Sequence, residues 1–413
     1  DDDGDGSQDT EDGAFPDDPG KTFELLDENG NVIDGATTVD GMVWFDGLTP
    51  GSYTVRENPI PDGYLLTTLP NERTFTIQSG EEIVYEDGAA MLPDGDQRYE
   101  NNLGDELKWG NTELASLGDY VWEDLNANGL QDDGDTGING VEVKLLADLD
   151  DDGTPETVVA TTITMDNPDT NLPGWYEFTG LTPGEIYAVM FNNPDPDGPD
   201  AYSFSPFQQG GDPTVDSDGP MSDNVVLTSG ENNETIDAGL YRPGSLHIFG
   251  FLDEDGDGIQ DDNEGAFGDD PGKTFELVDE NGNVIGEATT VDGMVWFDGL
   301  TPGTYTVSEN PIPDGYQLTT LPNERTFTIN SGEELVYEDG AAMLPDGDQR
   351  EEVNVGDELK WGNTGVASIG DFVWEDDNAD GIQDPGEEGI NGVEVKLLAD
   401  LDDDGVPETV VAT

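Results

Sequence analysis

Cysteine is absent from the 413 residues, which excludes a disulfide framework, thiol redox chemistry and cysteine-ligated zinc. There is one histidine, His247, in an apolar run, and no arrangement of serine or cysteine with a neighbouring base, so the chain reads as a non-enzyme. Basic residues are scarce as well: 12 Lys and Arg stand against 96 Asp and Glu, a net charge of −84. Such a charge repels nucleic acid and anionic lipid and makes cations the partners to look for. No apolar run approaches 18 residues, so this segment is not expected to insert into a membrane. Leader and anchor patterns are also missing, as they would be from any internal fragment.

What is present argues against disorder. Hydrophobic residues make up only 33% of the chain, a fraction that on its own suits an unfolded polymer. Yet the aromatic residues fall in alternating runs such as Met42-Val43-Trp44-Phe45 and Gly174-Trp175-Tyr176-Glu177-Phe178, the pattern of half-buried strands. The 55 glycines and 26 prolines lie between these runs as turns. Asp27-Glu28-Asn29-Gly30-Asn31 reads as a hairpin turn after Phe23–Leu25. The expected class is all-β, a tandem array of immunoglobulin-like antiparallel β-sandwiches.

The chain repeats itself. Lys21-Thr22-Phe23-Glu24-Leu25 returns at Lys273, Tyr85 to Arg98 at Tyr337, and Val141 to Asp152 at Val393, an offset of 252 residues throughout. That period suits two ordinary domains. The expected order is module A over 1–115 without its opening strand, module B over 116–244, A again over 245–367, and B over 368–413, broken off after about three strands. Incomplete sheets expose edges, so continuation of the chain or a neighbouring copy is expected to cover them. Junctions at Gly110-Asn111-Thr112 and Tyr241-Arg242-Pro243-Gly244 are short, which favours a stiff string of modules.

Four acidic stretches share one spacing. Asp253, Asp255, Asp257, Asp261 and Glu264 occupy positions 1, 3, 5, 9 and 12 of a loop with Gly258 at position 6 and Ile259 at position 7. This is the twelve-residue calcium loop: alternate oxygens converge on a large hard cation, glycine permits the bend, and position 7 needs only its carbonyl. The pattern recurs at Asp1, Asp3, Asp5, Asp9 and Asp12, at Asp124, Asn126, Asn128, Leu130, Asp132 and Asp135, and at Asp376, Asn378, Asp380, Ile382, Asp384 and Glu387. Without metal, each pair of carboxylates ~5 Å apart repels by about 3 kcal/mol at an effective dielectric near 20. Folding is therefore expected to be linked to Ca2+. Shorter Asp-Gly turns, Asp148, Asp150, Asp152 and Glu156 and their repeat Asp400, Asp402, Asp404 and Glu408, extend the set, and Asp212, Asp216, Asp218 and Asp223 form a further acidic cluster.

Ser116-Leu117-Gly118-Asp119-Tyr120-Val121-Trp122-Glu123-Asp124, the acidic loop after it, and Ile236-Asp237-Ala238-Gly239-Leu240-Tyr241 closely resemble the B domains of the serine-aspartate repeat (Sdr) surface adhesins. Phe45-Asp46-Gly47-Leu48-Thr49-Pro50-Gly51 through Glu57, then Pro61-Asp62-Gly63-Tyr64, is similar to the related collagen-adhesin B-type family. The resemblance implies prealbumin-like sandwiches, calcium in the acidic loops, an extracellular or bacterial cell-surface location, and a stalk or filament role in adhesion or matrix, with neighbouring repeats, joined laterally or end to end, as partners. Some members of the second family carry a lysine–asparagine isopeptide bond assisted by an acid. Glu57 and Glu309 match that acid, Lys21 and Lys273 have inward parity, and Asn111 and Asn363 lie on a final strand. The family's lysine, however, stands on the opening strand, where this chain has Phe249 and Phe251, and that departure weighs against the bond. Two other readings remain open: a module that binds a glycan or protein directly, and acidity serving solubility in high salt.

Overall fold

A computed structural model describes residues 14, 16, 20–85, 98–198, 201–338, 351–400 and 406–413. Apart from 3-10 turns at Gly104–Leu107 and Gly356–Leu359, its regular structure is all strand. None of its helices is long and apolar enough to cross a membrane.

The second A module shows the architecture in full. One sheet runs in the order Val284–Thr289, Thr274–Val278, Gly303–Glu309, Arg325–Ile329. Facing it is a six-stranded sheet built around the opening strand, Gly244–Leu252. This strand runs antiparallel to Met294–Leu300 on one side and parallel to Glu333–Val336 and Lys360–Gly365 on the other. Leu246, Ile248, Phe275, Leu277, Val307 and Trp361 fill the space between the sheets, each 0–1% exposed. A fully buried side chain of this kind stabilises by roughly 1.5–3 kcal/mol. Trp361 packs edge-on to Phe275 at 5.4 Å and carries the Arg325 guanidinium on its face at 4.7 Å.

Module B is also a two-sheet sandwich. Its long strand Ala115–Glu123 pairs with Trp175–Leu181, Asn232–Asn233, Ala238–Tyr241 and Thr136–Gly137. The opposing sheet orders Thr157–Ile163, Glu142–Ala147, Ile186–Phe191, Val225–Val226. The strands meet closely: a Cβ on Gly118 would lie 2.3 Å from the Tyr176 carbonyl oxygen.

The first A module repeats the four-stranded sheet, from Val32–Thr37 to Arg73–Ile77. The turn expected at Asp27 is present, with the Asp27 carboxylate accepting the Asn29 and Asn31 N–H groups. Its second sheet is split into two separate pairs, Tyr64–Leu66 with Asn111–Glu113 and Glu81–Val84 with Tyr99–Asn102. The strand expected at Met42–Phe45 does not form, although the same residues at Met294–Phe297 do. The reason is the partner: in the second copy Gly244–Leu252 supplies its hydrogen bonds. Among the described residues of 368–413, Leu397–Ala399 pairs with Thr409–Ala412 and Trp374 bridges Gly389.

The joint between module B and the second A module is built from named contacts. Arg242 donates from Nε and Nη2 to Glu123 Oε1, which also accepts the Ser331 hydroxyl at 2.7 Å. Arg242 N–H donates to Ser331 Oγ, Gly332 N–H to the Arg242 carbonyl, and Ser331 N–H to the Leu125 carbonyl.

Trp361→Ala is expected to cost about 3–5 kcal/mol, read as a lowered urea midpoint for the second A module with the transition of module B left in place.

Candidate functional site

The acidic loops follow directly from a long strand. Asp124 and Asp253, the residues after Glu123 and Leu252, are both 0% exposed. Three loops then share one hydrogen-bond pattern. The position-1 carboxylate accepts the N–H of the position-6 glycine: Gly129 to Asp124, Gly258 to Asp253 and Gly381 to Asp376, all at 2.8 Å. Position 5 accepts the N–H of position 7, Leu130 to Asn128, Ile259 to Asp257 and Ile382 to Asp380. The position-12 carboxylate takes two N–H groups, from positions 2 and 9. These pairs are Leu125 and Asp132 on Asp135, Glu254 and Asp261 on Glu264, and Asp377 and Asp384 on Glu387. Glycine at position 6 is required on two counts. Its φ is +78 to +84°, and at Gly129 a Cβ would fall 1.9 Å from the Pro206 carbonyl oxygen.

Among the described residues, acidic oxygens are gathered in the Asp253 loop and in the shorter Asp148 turn, and not in the Asp124 or Asp376 loops. Ligand oxygens of Asp253, Asp255 and Asp257 lie within 4.8 Å of one another, as do those of Asp148, Asp150, Asp152 and Glu156. In the Asp124 loop Asn126 and Asn128 turn Nδ2 toward Asp132. Their Oδ1 atoms accept the N–H groups of Asn128 and Leu130. Burial would raise the Asp253 carboxyl, but the Thr319 hydroxyl beside it and the N–H groups of Gly258, Gly256 and Asp257 outweigh it and hold it below its usual value. The Asp257 N–H lowers Asp255, yet burial and the charges of Asp257, Glu264 and Asp253 leave it raised. The donors are hard oxygens, mutually repelling and already aimed inward, a set suited to a hard divalent ion.

Ile259 is 59% exposed and Ile382 64% exposed, consistent with a position-7 residue whose side chain has no inward role. Asp1, Asp3, Asp5, Asp9 and Asp12, with Asp402 and Asp404, lie outside the described residues. The further cluster is not gathered: Asp212 bonds Thr214, Asp218 accepts the Asp237 N–H, and Asp223 accepts Gln208. Three of the four carboxylates thus have a protein donor of their own. His247 is 3% exposed and packs edge-on to Trp296 at 6.0 Å.

A second polar site lies inside both A modules. Lys273, Glu309 and Asn363 are 0–2% exposed. Asn363 Nδ2 donates to Glu309 Oε1 at 2.8 Å, and Lys273 Nζ donates to the Trp361 carbonyl, two residues before Asn363 on the same strand. Glu309 Oε2 and Asn363 Oδ1 are buried without a hydrogen-bond partner. The first module repeats the set: Asn111 Nδ2 to Glu57 Oε1 at 2.8 Å and Lys21 Nζ to the Trp109 carbonyl at 2.6 Å. Burial pulls Lys273 down to about 7 and Lys21 to about 8, opposed in each case by the glutamate. Burial raises Glu309 and Glu57 against their lysines. The lysine thus reaches the triad from the strand after the acidic loop rather than from the opening strand.

Sequence reasoning missed a third feature. In module B, Asp237 is 1% exposed, and its Oδ2 has no hydrogen-bond donor. Burial and then the Asp119 charge raise it well above the usual carboxyl range, and burial raises Asp119 to about 7 and Asp218 to about 6. Burial is the largest cause for both Asp119 and Asp237, and it shifts each carboxyl towards its protonated form.

Residues 115–240 and 367–413 match the family model of the SdrD B-like domain, and residues 19–89 and 270–340 that of a prealbumin-like fold domain. Serine-aspartate repeat-containing protein F of Staphylococcus epidermidis is 35% identical over 378 residues, 90% of this chain and 20% of that protein. Serine-aspartate repeat-containing protein D of Staphylococcus aureus (strain Newman) is 32% identical over 405 residues, 88% of this chain and 28% of that protein. The chain thus spans about a fifth to a quarter of the length of these relatives. Among solved structures, BcpA, the major pilin subunit of Bacillus cereus, aligns over 84% of this chain and 95% of its own, with 14% identity and a TM-score of 0.34.

Free carboxyls of an unfolded chain titrate near pH 4, so raised folded values stabilise module B fully below that pH and less as pH rises through about 7. At constant divalent-ion concentration, the melting temperature of module B is expected to fall between pH 5 and 8, and Asp119→Asn to flatten that fall.

Proposed function

From the chain's being an array of SdrD B-like and prealbumin-like fold domains, we infer that it is a calcium-stabilised structural rod segment of a bacterial surface protein. Its location is extracellular or on the cell surface. The units succeed one another as A, B, A, B with boundaries near residues 115, 244 and 367, and their role is to hold an adhesive or matrix-forming part of the parent protein at a distance.

The observation that carries this reading is the shared hydrogen-bond scheme of the Asp124, Asp253 and Asp376 loops. Backbone N–H groups fix the carboxylates at positions 1 and 12, so the oxygens stay together despite their repulsion. Calcium bound there supplies the positive charge that the chain lacks. The holding residues are Asp253, Asp255, Asp257, Asp261 and Glu264, the Ile259 carbonyl, and their counterparts in the other loops, with Asp148, Asp150, Asp152 and Glu156 as a further site. The joint at Glu123, Arg242 and Ser331 supports stiffness between units.

The triads support a covalent brace as part of the same role. A lysine held near neutrality has a substantial unprotonated fraction at pH 7 and is a nucleophile. Lys273 Nζ bonds the Asn363 side-chain carbon, and Glu309, whose carboxyl burial raises and whose Oε1 accepts from Asn363 Nδ2, carries the amine's proton to that nitrogen, which leaves as ammonia. Lys21, Glu57 and Asn111 are disposed in the same way.

Calorimetric melts with calcium and with chelator test the rod reading. At free calcium a hundredfold above Kd each site adds about 2.7 kcal/mol, so chelation should lower the melting temperatures of module B and the second A module, and Asp124→Ala should lower only that of B. Equal melts in both conditions would refute the calcium reading. Intact mass tests the brace: the second A module should be lighter by one ammonia, a deficit abolished by Lys273→Arg.

A further inference from the structure

Two joints, from the first A module into B and from B into the second A module, are made by unrelated residues yet share one contact scheme. In the first, Glu113 N–H donates to Ser229 Oγ at 2.9 Å, and Gly230 N–H donates to the Glu113 carbonyl at 3.1 Å. In the second, Arg242 stands in the place of Glu113. Its N–H donates to Ser331 Oγ at 2.8 Å, and its carbonyl accepts the Gly332 N–H at 3.1 Å. Both gripped residues lie two before the long strand of the next module, which begins at Ala115 or at Gly244.

The gripping element is one kind of turn, Thr228-Ser229-Gly230-Glu231 in module B and Asn330-Ser331-Gly332-Glu333 in the second A module. Each closes within its own module. The glutamate carboxylate accepts the N–H of the turn's first residue, at 2.8 Å and 2.9 Å, and the glutamate N–H returns to that residue's carbonyl at 3.1 Å in both. The glycines have φ of +69° and +68°, and a Cβ on either would stand 2.9 Å from the side chain of the gripped residue, at Glu113 Oε2 or Arg242 Cζ. Glycine therefore permits the bend and clears the space that the incoming side chain occupies. The serine Oγ and the glycine N–H address only main-chain atoms of Glu113 and Arg242, so an acid and a base are held alike.

We propose that this Ser-Gly turn is the module-docking site of the chain, a clasp on the following module that takes the main chain at the end of the preceding module. Because the clasp reads backbone rather than side chain, it sets an A-to-B joint and a B-to-A joint in the same way, and two kinds of module can alternate without a dedicated linker for each order. Side-chain contacts add to the clasp without defining it. At the second joint Glu123 also accepts from the Arg242 guanidinium and from the Ser331 hydroxyl, whereas at the first the gripped residue is itself an acid, Glu113.

The chain has no cysteine, so spin labels can be carried by introduced pairs at exposed threonines, Thr76→Cys with Thr161→Cys across the first joint and Thr161→Cys with Thr328→Cys across the second. Distance distributions are read from the full chain at one fixed calcium concentration, which keeps this test apart from that of the metal. Both should be narrow. Ser229→Ala should widen only the first and Ser331→Ala only the second, while Arg242→Gln leaves the second narrow because its main chain is still gripped. Hydrogen exchange gives a local readout: the Glu113 amide in Ser229→Ala, and the Arg242 amide in Ser331→Ala, should exchange about fivefold faster, as for one lost hydrogen bond. A broad distribution in the parent chain overturns the proposal, as does an unchanged width or an unchanged amide in either serine variant. So does a second joint that Arg242→Gln loosens as much as Ser331→Ala, which would make the ion pair with Glu123 the element that sets it.

Discussion

Carboxylates gripped by backbone N–H groups are the interaction on which this molecule depends. With 96 acidic side chains against 12 basic ones, ion pairs between side chains cannot balance the charge, and those present, such as Arg56 with Glu24 and Glu72, join partly exposed groups that contribute little. The main chain takes over the task. In the Asp124, Asp253 and Asp376 loops the carboxylates at positions 1 and 12 are held by N–H groups of the same loop, and the tight bend that delivers those N–H groups depends on left-handed glycine. The Asp124 and Asp253 loops sit at the ends of the two nine-residue strands, so their order is inherited from the sandwiches beneath.

Those sandwiches depend in turn on the strand at the centre of the larger sheet. In the second A module Gly244–Leu252 pairs with Met294–Leu300, Glu333–Val336 and Lys360–Gly365, so that six strands form one sheet. A strand's stability comes from neighbours on both edges and from the facing sheet.

Much of this was legible in the sequence for physical reasons that can be named. Loop spacing, alternating aromatics and the Asn-Gly turn at Asn29-Gly30 are local patterns, and local patterns survive without knowledge of the fold. The prealbumin-like, all-β class followed from them and from family resemblance, and the domain models agree. The triads were only half legible: parity placed Lys273 inward, but its meeting with Glu309 and Asn363 spans three strands far apart in the chain. Asp119 and Asp237 were invisible as a pair, since 118 residues separate them and an isolated aspartate in an acidic chain carries no mark of burial. The Glu123, Arg242 and Ser331 contacts were hidden for the same reason, although an arginine in so acidic a chain was a clue.

That joint has a mechanical corollary. Ser331, in the second A module, donates its N–H to the carbonyl of Leu125, and Leu125 in turn donates its own N–H to Asp135 within the acidic loop of module B. A bending or twisting motion between the two sandwiches cannot proceed as a free swivel about Pro243, because it must first break a peptide contact belonging to the loop itself. Torque is passed from one sandwich to the next through the same few atoms that order the carboxylates.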